Sequence, residues 1–261
     1  MAKKSPLAEK LDQVRERINA ACARAKRDPA EVTLIAVTKT AAPEQIREIL
    51  ALGVTDLGES RVQVLQQRAA QVNEQFSRRQ PLGEPGGGGG AAAAPKIRWH
   101  MIGHLQRNKV KPILPIVSLV QTIDSLRLAE EIDAQAAKTG KRIPVLMQVN
   151  ASEEAQKHGV AVGAAVHLAE QIDTMPNLQL LGLMTLAALE GSPDDARRVF
   201  TRTREIFEEM KWHKIGGTSL RHLSMGMSND FEQAIEEGAT MVRVGTLLFG
   251  GKVADEEMGE E

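Results

Sequence analysis

The sequence contains no tyrosine, and only five phenylalanines and two tryptophans occur among its 261 residues. The chain therefore has no phenol that could act as a catalytic acid or base. The scarcity of aromatic rings also argues against a protein that binds single-stranded nucleic acid by stacking on its bases. Cys22 is the single cysteine, which excludes an internal disulfide and a thiolate metal cluster and is typical of a reducing compartment.

Charge of either sign is not in excess, because 33 basic side chains are balanced by 34 acidic ones. Such a chain has no global field that would attract nucleic acid or an anionic membrane. No apolar stretch is long enough to span a membrane, and the basic N-terminus leads into a charged segment instead of the apolar core of a signal peptide. We therefore expect a cytoplasmic protein with no membrane or nucleic-acid partner.

Short apolar segments alternate with helical patterns along most of the chain. Apolar residues at three- and four-residue steps predict an N-terminal helix over 5–27. Eight segments beyond it are short, apolar and rich in β-branched residues, and they alternate with helical patterns. The predicted strands are 34–38, 54–59, 98–103, 119–123, 144–149, 178–185, 220–225 and 241–244.

Strands that are buried on both faces and alternate with helices indicate a parallel sheet. Eight such units in a chain of this length predict a single (β/α)8 TIM barrel, with no second β-rich domain. A doubly wound open sheet is the alternative, but no Gly-x-Gly-x-x-Gly fingerprint follows the first strand. We therefore expect residues 1–261 to form one α/β domain.

Residues 80–95 interrupt the alternation with prolines, five consecutive glycines and four consecutive alanines. This composition predicts a flexible insertion that cannot bury a core. A domain linker is the alternative, but the segments on both sides share one rhythm. Because the insertion joins a helix to the next strand, we expect it on the barrel face away from the site. Residues 254–261 are predicted to form an acidic, frayed tail.

In such a barrel, chemistry gathers at the carboxyl ends of the strands. Lys39 ends the first predicted strand, and an amine held there can lose hydration and become a nucleophile towards aldehydes. A solvated lysine is the more common outcome for such a position by itself. The residues predicted at this edge are Lys39, Glu59, Ser60, His104, Asp124, Asn150, Met184, Thr185, 224–228, Gly245 and Thr246.

Residues 224–230 lie between a predicted strand and a predicted helix. Their hydroxyls, their glycine and the backbone amides before the helix suit a phosphate, although a plain helix cap by Ser228 or Asn229 is the alternative. Gly245 and Thr246 end the last strand and offer further donors. The loops after strands 7 and 8 are the usual phosphate site of this barrel, so both predictions converge there.

Arg243 alternates with two valines and should therefore point to one face of its strand. If it points inward, its guanidinium needs an acceptor; if it points outward, it is a surface charge. His100 and His104 do not have the spacing of a helical zinc motif, and no further ligand completes a set with them. We therefore expect no metal site.

Eight ordered motifs resemble those of the pyridoxal phosphate homeostasis proteins, a family related to the N-terminal barrel of alanine racemases. The resemblance covers almost the entire chain apart from the insertion and the tail. The motifs are Ala36–Thr40, Gly58–Gln63, Trp99–Gln106, Thr122–Ser125, Gln148–Asn150, Gly182–Thr185, Leu223–Asp230 and Met241–Thr246.

This resemblance implies that Lys39 forms an internal aldimine, a Schiff base, with pyridoxal 5′-phosphate. It implies that Ser228, Gly245 and Thr246 hold the phosphate. The remaining implied cofactor-binding residues, close to the phosphate, are Ser224, Met225 and Gly226. By similarity to the racemases, Arg243 faces the pyridine nitrogen and leaves it unprotonated.

The resemblance also implies a role in buffering and delivering the cofactor inside the cell, with pyridoxal phosphate-dependent apoenzymes as recipients and a monomer or weak homodimer as the working form. The alternative is a low-rate pyridoxal phosphate enzyme, such as an amino-acid racemase. A third reading is an interaction protein that uses the surface of residues 104–111. Two positions depart from the family pattern, with Ser60 in place of asparagine and Val64 in place of glutamate.

Overall fold

The computed structural model describes residues 4–79, 96–154, 156–188 and 191–250. The predicted insertion, residues 80–95, and the predicted acidic tail, residues 254–261, lie outside the described residues. The strands are β1 (Thr33–Val37), β2 (Asp56–Glu59), β3 (Arg98–Met101), β4 (Val117–Ile123), β5 (Ile143–Asn150), β6 (Val160–Ala161), β7 (Leu178–Met184), β8 (His222–Ser224) and β9 (Met241–Val244). The α-helices are α1 (Pro6–Arg24), α2 (Pro43–Ala51), α3 (Val62–Arg79), α4 (Val110–Ile113), α5 (Leu126–Ala137), α6 (Ala165–Asp173), α7 (Pro193–Trp212), α8 (Phe231–Glu236) and α9 (Thr246–Phe249).

Eight of these strands close into a parallel barrel. Each pairs with its neighbours in the order β1, β2, β3, β4, β5, β7, β8 and β9, and β9 pairs back to β1 with Ile35 opposite Arg243. Within the part of the chain that the structure describes, the two-residue strand β6 pairs only with the end of β5. Each barrel strand is followed by a helix, which confirms the predicted (β/α)8 barrel.

The apolar residues divide between two layers. The larger layer lies between the strands and the surrounding helices. A smaller cluster fills part of the barrel interior and consists of Ile35, Leu119, Leu146, Leu181, Met184 and Met241. Full burial of each such side chain contributes about 1.5–3 kcal/mol. The rest of the interior holds polar side chains, which are described with the site below.

Helix α1 begins at a serine cap and packs against the helix that follows β8. Ser5 Oγ accepts the N–H of Ala8 at 3.1 Å, which satisfies one of the free amides at the helix start. Arg17 and Arg24 on α1 pair with Glu232 and Glu236 on α8, each at 2.6 Å. None of the helices that the structure describes is both long and apolar enough to cross a membrane.

Three elements differ from the sequence prediction. The helix predicted over 104–116 is reduced to a 3-10 turn at Arg107–Lys109 and the four-residue α4. Pro115 lacks the N–H that a longer helix would need, so α4 ends before it. The short elements β6 and α9 were not predicted, because two and four residues are too few to show a period.

Candidate functional site

A cavity of about 370 Å³ opens at the carboxyl ends of the strands, mainly between β1, β7, β8 and β9. This volume lies within the range of small-molecule sites, about 300–1,000 Å³. Apolar side chains such as Ile102 and Leu186 form part of its wall. The sequence-predicted site residues that line it are Lys39, Ser228, Arg243, Gly245 and Thr246. The fold therefore brings the predicted amine and the predicted anion-binding loops to one space.

Lys39 follows β1 by two residues and lines the cavity. It is an exposed residue, so burial alone does not remove the hydration of its amine. The residue before it, Thr38, is fully buried and fixes the backbone from which Lys39 projects. The position of the amine is therefore set by the end of a buried strand, as the sequence pattern predicts.

Arg68 on α3 holds the turn that carries Lys39. Its guanidinium donates to the backbone carbonyls of Thr38, of Lys39 at 3.4 Å and of Ala41 at 3.2 Å. It also pairs with the Glu59 carboxylate at 2.5 Å, and that carboxylate accepts the Thr38 hydroxyl as well. Burial raises the pKa of Glu59, while the Thr38 hydrogen bond and the Arg68 charge oppose the rise.

The loop before α8 is shaped by a glycine and an aspartate. Gly226 has φ +91°, and a Cβ there would lie 2.6 Å from Ala234 Cβ, so a larger residue does not fit. Asp230 Oδ1 accepts the N–H of Met227 at 2.5 Å. Burial raises the pKa of Asp230, although this hydrogen bond and the charge of Arg243 act in the opposite direction. The aspartate therefore caps the loop from within.

Donors on two loops face the cavity without an internal acceptor. Among the described residues, the backbone N–H groups of Ser228, Asn229 and Thr246 donate no hydrogen bond. Gly245 lies close to β1, since a Cβ there would be 3.1 Å from the carbonyl oxygen of Val37. The last strand therefore ends beside the strand that carries Lys39, and the free N–H of Thr246 can donate a hydrogen bond to an anion.

Arg243 points into the barrel and is almost fully buried. Its Nη1 donates to Ser224 Oγ at 2.7 Å, and its Nη2 donates to the carbonyl oxygen of Thr185 at 2.8 Å. Within the described chain, its Nε–H has no acceptor, and the side chain lines the cavity. Burial lowers the pKa of Arg243 to about 10, a value at which the guanidinium still carries its charge at neutral pH.

A chain of buried hydrogen bonds runs through the barrel interior from Ser224. Its Oγ contacts Gln121 Oε1 at 2.7 Å, and Gln121 Nε2 contacts His100 Nδ1 at 2.9 Å. His100 Nε2 then contacts Asp56 Oδ1 at 3.0 Å. Arg98, the first residue of β3, donates from Nε to Asp56 Oδ1 at 2.7 Å. These contacts join the cavity to the amino end of the barrel.

The direction of each hydrogen bond in this chain follows from the arginine, which can only donate. Because Ser224 Oγ accepts from Arg243, its own proton goes to Gln121 Oε1. The Gln121 amide nitrogen therefore donates to His100 Nδ1, and the His100 proton lies on Nε2. From there it donates to the Asp56 carboxylate, whose pKa is held below its ordinary value by His100 and Arg98, against the effect of burial.

Three of the residues that the family resemblance implies as cofactor-binding, Ser224, Met225 and Gly226, do not line the cavity. Ser224 is fully buried and reaches the cavity only through Arg243. Met225 is fully buried, and Gly226 supplies a backbone carbonyl that accepts the N–H of Arg243 at 3.0 Å. Ser60, the departure from the family pattern, does not line the cavity either.

Sequence reasoning missed Arg68 and Gln121 as members of this site. Arg68 occupies an ordinary position in an amphipathic helix, and nothing in the sequence distinguishes it from a surface arginine. Gln121 stands inside an apolar strand, and a polar residue at such a position signals a buried partner. That partner could not be named from the sequence, since Ser224 lies 103 residues away.

A family model described as alanine racemase, N-terminal domain, matches residues 5–253 of the chain. The pyridoxal phosphate homeostasis protein of Aquifex aeolicus is 39% identical, over 93% of this chain and 96% of that protein. A solved structure of an unknown protein from Bifidobacterium adolescentis is similar at a TM-score of 0.83, with 36% identity over 93% of this chain and 94% of the other.

The structure of PipY from Synechococcus elongatus, solved with PLP bound, is similar at a TM-score of 0.75. The two chains are 29% identical, and the match covers 94% of this chain and all of PipY. The shared barrel, the nearly complete coverage and the identity to named relatives agree with one another. The chain therefore belongs to the alanine racemase N-terminal domain family and, within it, to the pyridoxal phosphate homeostasis proteins.

Proposed function

We propose that this protein binds pyridoxal 5′-phosphate covalently through Lys39 and serves in the homeostasis of that cofactor, holding and delivering it instead of turning over a substrate. The observation that carries the proposal is the cavity, where a primary amine and a set of free hydrogen-bond donors border one space of about 370 Å³. The relatives named as pyridoxal phosphate homeostasis proteins, and PipY with its bound PLP, support the same ligand.

The residues present fit this cofactor at three points. When bound, it supplies an aldehyde that a primary amine can attack and a pyridine ring that withdraws electrons. Lys39 is the cavity amine. Ser228, Gly245 and Thr246 offer a hydroxyl and backbone amides to the phosphate, and the loop behind them is formed by Ser224, Met225 and Gly226. The free Nε–H of Arg243 is available to the ring nitrogen.

Arg243 limits how strongly a bound cofactor can withdraw electrons. A guanidinium donates and does not accept, so a ring nitrogen that faces it must accept and stay unprotonated. An unprotonated pyridine withdraws electrons less strongly than a pyridinium. Ser224 and Thr185 fix the guanidinium on both terminal nitrogens, which keeps this arrangement rigid.

Turnover as a racemase would need a second proton-transfer group opposite Lys39. The chain has no tyrosine, and Asp230 is the one carboxylate among the described residues that line the cavity. Its Oδ1 already accepts the N–H of Met227. The described side chains therefore favour binding over two-base chemistry.

Covalent binding is tested by an absorption spectrum of the purified protein with added cofactor, followed by borohydride reduction and peptide mass spectrometry. We expect a visible band and a stable adduct on Lys39, both absent in Lys39→Ala. An adduct on another lysine, or a protein that stays colourless, would refute the proposal. Racemisation of L-alanine above the rate of free cofactor would instead favour the enzyme alternative.

We further propose that this protein works in the cytoplasm, as a monomer or weak homodimer, and passes its bound cofactor to pyridoxal phosphate-dependent apoenzymes. The lone buried thiol of Cys22 is compatible with a reducing compartment. Mixing the loaded protein with an apo-aminotransferase tests delivery. Activation faster than by the same concentration of free cofactor supports it, and activation no faster than spontaneous release contradicts it.

A further inference from the structure

His104, Asp124 and His158 lie together at the mouth of the barrel, away from the cofactor cavity. His104 follows β3, Asp124 directly follows β4, and His158 lies in the loop after β5. In the closed ring, β4 stands opposite β9, so this cluster occupies the rim across from the phosphate loops. None of the three residues lines the cavity described above.

The donor atoms of the three side chains lie within 4.8 Å of one another. His104 Nδ1 is 3.2 Å from Asp124 Oδ2. The rings of His104 and His158 are stacked, with centroids 4.0 Å apart and planes inclined by 13°. Two imidazoles and one carboxylate thus share a single small volume at the protein surface.

The backbone on both sides of this cluster is fixed by buried partners. The carbonyl of Gly103, next to His104, accepts the Thr122 hydroxyl at 2.8 Å, which ties the β3 loop to β4. The carbonyl of His158 accepts Gln148 Nε2 at 2.9 Å, and Gln148 is only 5% exposed. The backbone of Asp124 is positioned by strand β4 itself, because Asp124 directly follows the last residue of that strand.

We propose that His104, Asp124 and His158 form a binding site for a divalent transition-metal ion of the Zn²⁺ class. Bonds of about 2.0–2.1 Å in a tetrahedral site separate the ligand atoms by about 3.4 Å. The His104–Asp124 pair already has this spacing, at 3.2 Å. The third ligand closes the remaining distance by rotation of exposed imidazoles, which also tilts the stacked rings until their lone pairs converge.

The ligand chemistry selects the class of ion. Imidazole nitrogen with one carboxylate oxygen suits Zn²⁺, Ni²⁺ or Cu²⁺, whereas Mg²⁺ and Ca²⁺ take oxygen ligands. His104 is the one ion-pair partner of Asp124 among the described residues, so no lysine or arginine competes for its carboxylate. Three protein ligands leave a coordination position for water.

This site departs from the expectation of no metal site, because its members are separated by 20 and 34 residues, at positions 104, 124 and 158, and no spacing pattern links them. Only the adjacency of β3, β4 and β5 in the ring brings the three loops together. The proposal does not depend on cofactor binding, since the two sets of residues are separate.

The test is isothermal titration of the full-length protein, loaded with its cofactor, free of any histidine tag and treated with chelator beforehand. We expect one equivalent of Zn²⁺ to bind at neutral pH and Mg²⁺ not to bind. The variants His104→Ala, Asp124→Asn and His158→Ala should each weaken Zn²⁺ binding by at least about tenfold. His167→Ala is the matched control, because His167 is an exposed histidine beside Glu170 on α6, and it should leave binding unchanged.

A thermal scan provides a second readout. Zn²⁺ should raise the unfolding temperature of the parent chain and of His167→Ala, but not that of the His104→Ala/His158→Ala double variant. Circular dichroism and retained cofactor binding show whether that double variant is folded. Unchanged Zn²⁺ affinity in the folded double variant, or no saturable binding in the parent chain, would overturn the proposal.

Discussion

Replacement of Arg68 with methionine should loosen the turn that carries Lys39 and destabilise the protein. Methionine keeps the apolar stem of the side chain but removes the cation. Glu59 would lose an ion pair at 2.5 Å, and the carbonyls of Lys39 and Ala41 would lose their guanidinium donors. The effect is therefore both electrostatic and local to the cofactor amine.

The magnitude follows from the burial of the pair. The Glu59 side chain is 1% exposed and that of Arg68 is 14% exposed, so the carboxylate would be left unpaired in the interior. Breaking a buried pair on one side costs about 3–5 kcal/mol. Because Glu59 can bind a proton instead, we expect the lower part of that range, about 3 kcal/mol at neutral pH. For a chain of this size that corresponds to a fall of about 6–12 °C in unfolding temperature.

The loss should depend on pH. Arg68 opposes the rise in the pKa of Glu59, so the folded variant has a higher pKa than the folded parent. Well below the unfolded pKa, both proteins carry a protonated Glu59 and the charge contribution to their difference vanishes. As pH rises through the pKa values of Glu59 in the two folded proteins, the variant must ionise an unpaired carboxyl. The difference between parent and variant in the free energy of unfolding therefore grows with pH.

Thermal and denaturant unfolding at acidic and at slightly alkaline pH measure this difference. Arg47→Met is the matched control, because Arg47 pairs with Glu44 on the surface of α2, where a change below about 0.5 kcal/mol is expected. The double variant Arg68→Met/Glu59→Gln should recover part of the stability, since it leaves no buried charge. An Arg68→Met protein as stable as the parent at pH 8, or a loss independent of pH, would refute the reasoning.

Three further changes test other parts of the site. Gln121→Leu leaves the Ser224 hydroxyl without an acceptor and His100 Nδ1 without a donor, at about 1–3 kcal/mol each, so denaturant unfolding should show a loss of about 2–6 kcal/mol. A neutral result would contradict the buried chain of hydrogen bonds. Gly226→Ala adds a Cβ that would lie 2.6 Å from Ala234 Cβ, at a backbone φ of +91°. We expect the free energy of unfolding to fall by about 2–4 kcal/mol and the cofactor phosphate to bind more weakly. Unchanged cofactor affinity would show that this loop does not hold the phosphate. Burial, with the charge of Arg221, lowers the pKa of His222 to about 4, so the unfolded chain binds a proton that the folded one rejects. Stability should therefore fall by at most about 3 kcal/mol between pH 6.5 and 4. His222→Asn should flatten that profile, and an unchanged profile in the variant would show that another group is responsible.

The alternation of apolar strands with helices was enough to predict the barrel and the strand ends that carry the site. Periodicity is a local property that predicts where each strand ends. Because functional residues of such barrels lie at the carboxyl ends of the strands, the predicted strand ends also predict the location of the site. The sequence therefore places Lys39 beside the loops after the last two strands. Residues 228, 245 and 246 were predicted there for the same reason, and they line the same cavity.

The tertiary structure alone decided the contacts across the barrel. The partners Arg68 and Thr38, or Gln121 and Ser224, are 30 and 103 residues apart, and no period links their positions. The neighbours of a buried polar side chain depend on which strands meet and on how their registers align. For the same reason His104, Asp124 and His158 form a cluster only after β3, β4 and β5 become adjacent in the closed ring.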